Sequence, residues 1–373
     1  MRLSARNARL LSFLALAVAA ADVPAAEVVK IGAALSMTGP AAVYGTAQKA
    51  GIQAAVEEVN ASGALKDVRL VAVFEDDAST KEQGIAVFQR FINREKVHAI
   101  IGPTLSNTAT AADPLAQAAK VPVVAVSNTA PKGITDIGDH VWRVSLTEAQ
   151  VIPGALRRAK EKLGFKRAAV LYGNDDAFTQ AGYTVMKAAL PELGIETVGT
   201  QTFAKPDRDY NAQLTDLLAR KPDVLVVSAL AENAAGIVTQ ARQLGWQGPI
   251  FGGNGFNSPA LIKNAGPTAE GVLVGTAWDR TSADPANRRF LEVMAARGVD
   301  PDQFAAQAYT GVLVIAEAIR LSGKATRADI RAGFSKVKDL PTPLGKFSFL
   351  ESRDGNHSPA LQQVKAGKFQ IVE

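Results

Sequence analysis

Short, largely apolar runs recur along this chain, and each is followed by a stretch with helical spacing. Such runs occupy 28–35, 68–74, 97–101 and 122–126, with helical stretches at 47–60, from Ser79 to about Arg94, and at 107–119. A strand that is apolar on both sides must be covered on both faces, so the alternation predicts a parallel sheet between helix layers. A second series of the same kind begins near Val144. Helices are expected at 148–163, 179–190, 210–219 and 232–244, between strands at 167–172, 195–202, 223–228, 249–252 and 272–276. The chain thus reads as α/β, with two doubly wound units. The remaining pieces are a long helix at 303–321, a helix start at Thr326, and short strands at 347–350 and 361–364. They are too few for a third unit and must pack onto the first two, which requires several crossings between them.

Two strand ends are chemically distinctive. Ile100-Ile101-Gly102-Pro103 runs into Thr104-Leu105-Ser106-Asn107-Thr108, and Val121-Pro122-Val123-Val124-Ala125-Val126 runs into Ser127-Asn128-Thr129. In open parallel sheets ligands bind outside the carboxyl ends of the strands, and helix-start amides favour anions there. Ser106, Ser127 and Thr129 can supply hydroxyls to a small carboxylate. Each charge-assisted bond contributes about 1.5–3 kcal/mol, so three or four suit micromolar affinity, roughly −8 kcal/mol. The plainer alternative makes Ser106 a helix N-cap and Thr129 a turn residue.

Little in the sequence points to catalysis. No GxSxG elbow, phosphate loop, GxGxxG fingerprint or HExxH pair is present. The histidines are His98, His140 and His357, and His98 in an apolar run reads as structural. Asp76-Asp77 and Asp175-Asp176 follow strands among Ser, Asn and Gly, where loop capping is the expected role. An exported hydrolase using these acids is the weaker reading, and no cofactor or metal is expected. No basic stripe with interleaved aromatics suggests nucleic acid.

Residues 1–26 read as an export signal: Arg2, Arg6 and Arg9 precede an apolar run at 10–21 and small residues, with cleavage after Ala21 or Ala26. Without them the chain holds 38 basic and 35 acidic residues, close to balance. There is no cysteine, hence neither disulfide nor lipid anchor. A free periplasmic protein is expected. No segment after the signal reads as a membrane span.

Further residues carry a family resemblance. Ile31-Gly32 with Ser36-Met37-Thr38-Gly39-Pro40-Ala41-Ala42-Val43-Tyr44-Gly45, Glu75-Asp76-Asp77, Ile101-Gly102-Pro103, and Leu171-Tyr172-Gly173-Asn174-Asp175-Asp176-Ala177-Phe178 together resemble the periplasmic leucine/isoleucine/valine-binding proteins of branched-chain amino acid ABC transporters. The resemblance spans about Val28 to the C-terminus. It implies a type I binding protein: two Rossmann-like lobes, 27–146 with 278–357 and 147–277 with 358–373, joined by three crossovers and closing on ligand. It also implies that the chain is a monomer serving membrane ABC permease subunits. By the same resemblance Ser106 and Thr129 hold the ligand carboxylate, Ser127 offers backbone contacts, and Tyr44 and Phe178 flank the ligand. Leu105 adjoins it.

Three departures from the family pattern stand out. Asn254 occupies the place of the carboxylate that pairs with an amino acid's ammonium, and Leu230 the place of a tyrosine. Ser79 and Leu105 stand where some members carry a disulfide. Glu232 or Asp279 is then needed to replace the missing acid, unless the ligand is an aromatic or aliphatic acid lined by Phe178, Phe256, Trp278 and Tyr309. A ligand sensor for a signalling partner has the same sequence signature.

Overall fold

The computed structural model describes residues 26–372, so the expected export signal lies outside the described residues except for Ala26. The first sheet is built from β1 (Glu27–Leu35), α1 (Ala42–Ser62), β2 (Val68–Asp76), α2 (Lys81–Gln89), β3 (Ala99–Ile101), α3 (Ser106–Ala118), β4 (Val123–Ala125) and β5 (Val141–Arg143). Its strands lie in the order β2-β1-β3-β4-β5, all parallel. The interior strands are buried on both faces, as their unbroken apolar runs require. The helix expected to reach Arg94 ends as an α-helix at Gln89 and continues as a wider turn over Arg90–Glu95.

The second series repeats this winding. It comprises α4 (Glu148–Leu163), β6 (Arg167–Gly173), α5 (Ala177–Glu192), β7 (Glu196–Phe203), α6 (Asn211–Ala219), β8 (Val224–Ser228), α7 (Ala231–Gln243), β9 (Ile250–Gly252), α8 (Pro259–Ala265) and β10 (Leu273–Thr276). The parallel part of its sheet runs β7-β6-β8-β9-β10. Local signals set several boundaries. Thr147 and Gln150 form a reciprocal capping box on α4, Gly164 ends that helix at φ 71°, and Asp176 accepts the first amides of α5.

The chain then returns to the first unit with α9 (Pro285–Ala296), α10 (Gln303–Ser322), α11 (Arg327–Phe334), and a small sheet of β11 (Leu340–Thr342), β12 (Gly345–Phe349) and β13 (Gly355–Asn356). It ends on the second sheet as antiparallel β14 (Ala360–Lys365) and β15 (Lys368–Ile371). The connections β5–α4, β10–α9 and β13–β14 are therefore the three passages between the units. Phe290, Val312, Phe334 and Phe347 join the core of the first sheet, while Leu361 and Val372 join that of the second. One expectation needs correction. α10 has the length and apolarity of a membrane span, but most of it is buried here, packed on α1 and α11. It is apolar all round because protein surrounds it.

Candidate functional site

Helices α1, α3, α4, α5, α7 and α10 all begin at the facing edges of the two sheets. Tyr44 lies in the first turn of α1, Ser106 opens α3, Glu148 opens α4, Phe178 is second in α5, Leu230 caps α7, and Phe304 is second in α10. The positive ends of their dipoles converge, which favours a negative charge between them. A cavity of about 30 Å³ sits at this point, lined by Tyr44, Thr104, Leu105, Ser106, Ser127, Thr129, Phe178, Leu230, Asn254, Gly255 and Phe304. Tyr44, Leu105, Ser106, Ser127, Thr129, Phe178, Leu230 and Asn254, which the sequence had marked as candidates, are among these lining residues.

The three hydroxyls differ in what they have left to give. Ser106 Oγ has no hydrogen-bond partner among the described residues, and Leu105, not Ser106, is the N-cap of α3. The Ser127 hydroxyl is committed: it donates to the Thr104 carbonyl at 2.7 Å and accepts from Gln48 Nε2 at 2.6 Å. Thr104 Oγ1 in turn donates to Gln48 Oε1 at 2.7 Å and accepts from the Ser36 amide. Ser127 can therefore offer a carboxylate only its backbone. Thr129 Oγ1 donates to Glu148 Oε1 at 3.2 Å. The loop carrying Thr129 is held from behind by the fully buried Arg143, whose Nη1 donates to the carbonyls of Asn128 and Ala130 while Nη2 pairs with Asp354 at 2.6 Å.

The other wall comes from the second sheet. Asn254 follows β9 in a tight turn, and its Nδ2 donates to Glu148 Oε1 at 3.2 Å. Glu148 is the acid nearest Asn254 in this network. Burial pushes its carboxyl up to about 7, against the hydrogen bonds from Asn254 and Thr129, and Oε2 has no partner. The proposed substitutes do not reach the cavity: Glu232 is exposed and paired with Arg208, and Asp279 binds Thr281 outside it. Nothing in the local sequence marks Glu148, because it opens a helix, where an acid is an ordinary dipole partner.

The aromatic expectation is corrected in the same way. Phe178 lines the cavity, but Phe256 lies in the core of the second sheet, and Trp278 and Tyr309 lie in that of the first. Trp278 Nε1 is used by Asn287 and the Tyr309 hydroxyl by Glu58. Phe304, which no motif marked, packs on Tyr44 with ring centroids 4.5 Å apart. The two units touch directly: Tyr44 Oη donates to the Gly255 carbonyl at 2.8 Å and accepts from the Ala231 amide at 2.6 Å. Asn107 bridges likewise, donating to Asp176 Oδ2 and accepting from the Ala177 amide, both at 2.9 Å.

The remaining acids behave as caps. Asp76 accepts the amides of Met37, Thr38 and Ala78, Asp77 accepts from Ser36 Oγ and the Ser79 amide, and Asp175 accepts the Lys205 amide. His98 Nδ1 accepts from the Lys30 amide. Among the described residues no cluster of three or more potential metal ligands occurs.

The geometry agrees with what the chain is similar to. A family model described as periplasmic binding protein matches residues 28–368. The chain is 27% identical over 351 residues to the leucine-, isoleucine-, valine-, threonine-, and alanine-binding protein of Pseudomonas aeruginosa, covering 94% of this chain and 93% of that one. The substrate binding protein of a branched-chain amino acid transporter from Streptococcus pneumoniae, solved in complex with isoleucine, superposes with a TM-score of 0.87 at 27% identity over 93% of this chain and 99% of that one. A solute binding protein of an ABC transporter from R. palustris, solved in complex with benzoate, shares the fold with a TM-score of 0.83 at 22% identity, over 92% and 95% of the two chains. These relatives are solute-binding proteins. With the family model matched from the first strand to the last, on two like-wound sheets that meet across a cavity, the chain belongs to the periplasmic binding protein family, among the type I members related to the leucine/isoleucine/valine-binding proteins.

Proposed function

We propose that this protein is exported to the periplasm, captures a small carboxylate between its two lobes, 27–146 with 278–357 and 147–277 with 358–373, and delivers it to an ABC permease. The observation that carries this reading is the convergence of helix N-termini on a cavity whose floor holds Ser106, with its hydroxyl unused, beside Thr129. The carboxylate would rest on Ser106, Thr129 and the amides at these strand ends, with Tyr44, Leu105, Phe178, Leu230 and Phe304 around its apolar part. Lobe closure would remove it from water and strengthen each of these bonds.

Titration calorimetry against leucine, valine, phenylalanine and benzoate tests this. At least one should bind, and Ser106→Ala or Thr129→Ala should weaken that ligand about 10–100-fold, the loss of one charge-assisted bond. Unchanged affinity in both variants would refute the site. A second reading, a carboxylate without an ammonium group, is favoured by Asn254: the cavity wall offers a neutral amide there, and Glu148 stands one side chain behind it.

A further inference from the structure

The network behind the cavity has a fixed direction. The Ala277 amide can only donate, and it donates to Gln303 Oε1 at 2.7 Å. Gln303 must therefore present Nε2 to Asn254, which accepts through Oδ1 at 3.0 Å and is left with Nδ2 facing Glu148. Asn254 cannot turn round without leaving Gln303 or Glu148 mispaired. An ammonium in the cavity would find no charged acceptor on this wall.

Thr129 closes the other side of Glu148. A hydroxyl has one proton. While that proton lies on Glu148 Oε1, Thr129 can only accept from a ligand. To grip a carboxylate, Thr129 must turn its proton outward, and Glu148 then has to supply one to the Thr129 oxygen. An ionised Glu148 would also leave two carboxylates separated by one hydroxyl in a buried site.

No charge nearby relieves this. The shift of Glu148 comes from burial and from Asn254 and Thr129 alone. Lys187 on α5 and Lys365 on β14 are exposed, and Glu192 points to solvent. Arg157 and Arg158 of α4 itself are exposed further along the helix. Arg143 is paired with Asp354, Asp176 caps α5, and the half-buried His357 sits on the Val144 carbonyl.

We propose that Glu148 is the specificity-determining residue of this cleft: it takes up a proton from solvent when a carboxylate without an ammonium group is bound, and so selects such acids over amino acids. The chain of donation then runs from Glu148 to Thr129 to the ligand, and one proton enters per ligand bound. The inference rests on the carboxylate reading above.

The test compares matched pairs, isocaproate with leucine and hydrocinnamate with phenylalanine, plus benzoate. Binding is measured by calorimetry from about pH 6 to about pH 8 in buffers of different ionisation enthalpy. The acids should bind more tightly than their amino acid partners. Because Glu148 in the free protein titrates at about 7, uptake should approach one proton near pH 8, with affinity falling up to about tenfold per pH unit above neutrality and flat below about pH 6. Glu148→Gln should bind the acids without this pH dependence. The proton count is read on the wild-type protein and again on Glu148→Gln, because the buried Asp302 that caps α10 beside Gln303 is also pushed up to about 7; uptake that persists in Glu148→Gln would assign the proton to another group and overturn the role of Glu148. Acids that bind without proton uptake, yet are weakened by Ser106→Ala, would overturn the role of Glu148 and leave the carboxylate site standing. Tighter binding of leucine than isocaproate would overturn the selectivity. Binding of none of these ligands would overturn both readings.

Discussion

At the residue scale, Ser106, Ser127 and Thr129 look alike in sequence and do different work. Ser127 satisfies Gln48 from α1, 79 residues away, and the Thr104 carbonyl. Ser127→Ala should lower stability by about 1–3 kcal/mol, the penalty of an unpaired buried group, and weaken binding less than Ser106→Ala does; urea unfolding and calorimetry separate the two effects. Glu148 gives a second prediction. Its folded-state value of about 7 lies above the ordinary 4.5, so the folded protein keeps a proton that the unfolded chain releases. The stability linked to that proton is intact below about pH 4.5 and is lost as pH rises through 7, up to about 3 kcal/mol. Glu148→Gln should therefore lose less thermal stability between about pH 5 and about pH 8 than the wild-type protein. An equal loss in both would contradict the assigned value.

At the element scale, periodicity and caps were legible before any fold was known. The Asp176 cap and the apolar strands each rest on interactions within a few residues. What elements pack against was less legible. α10 reads as long and apolar, and only its burial against α1 and α11 shows why. Gly51 of α1 permits that crossing: an added Cβ would stand 2.2 Å from the Ala305 carbonyl oxygen. Backbone cannot give way as a flexible side chain does. Gly51→Ala should cost about 2–3 kcal/mol or more, read as a lowered urea midpoint.

At the scale of the whole molecule, few polar contacts join the two units beside the cavity. Tyr44 Oη answers both the Gly255 carbonyl and the Ala231 amide across the cleft, and Asn107 answers the start of α5. Tyr44→Phe leaves two buried groups unpaired in the closed form only, shifting the balance toward the open one. Ligand affinity should fall about 5–100-fold, and small-angle scattering should show a larger radius of gyration without ligand. A variant with unchanged affinity and unchanged scattering would show that these bonds do not bias closure.

The sequence by itself determined the two like-wound sheets, their shared C-terminal pieces and the strand ends that line the cavity. These follow from hydrophobic spacing and capping, which act over a dozen residues or fewer. Only the tertiary structure decided which hydroxyl remains free, which acid backs Asn254, and that Phe304 rather than Phe256, Trp278 or Tyr309 faces the cavity. Those outcomes depend on partners far apart in the chain; Glu148 and Asn254 are 106 residues apart. The direction of a hydrogen bond and the burial of a carboxyl are properties of such an encounter, and neither partner's local sequence carries them.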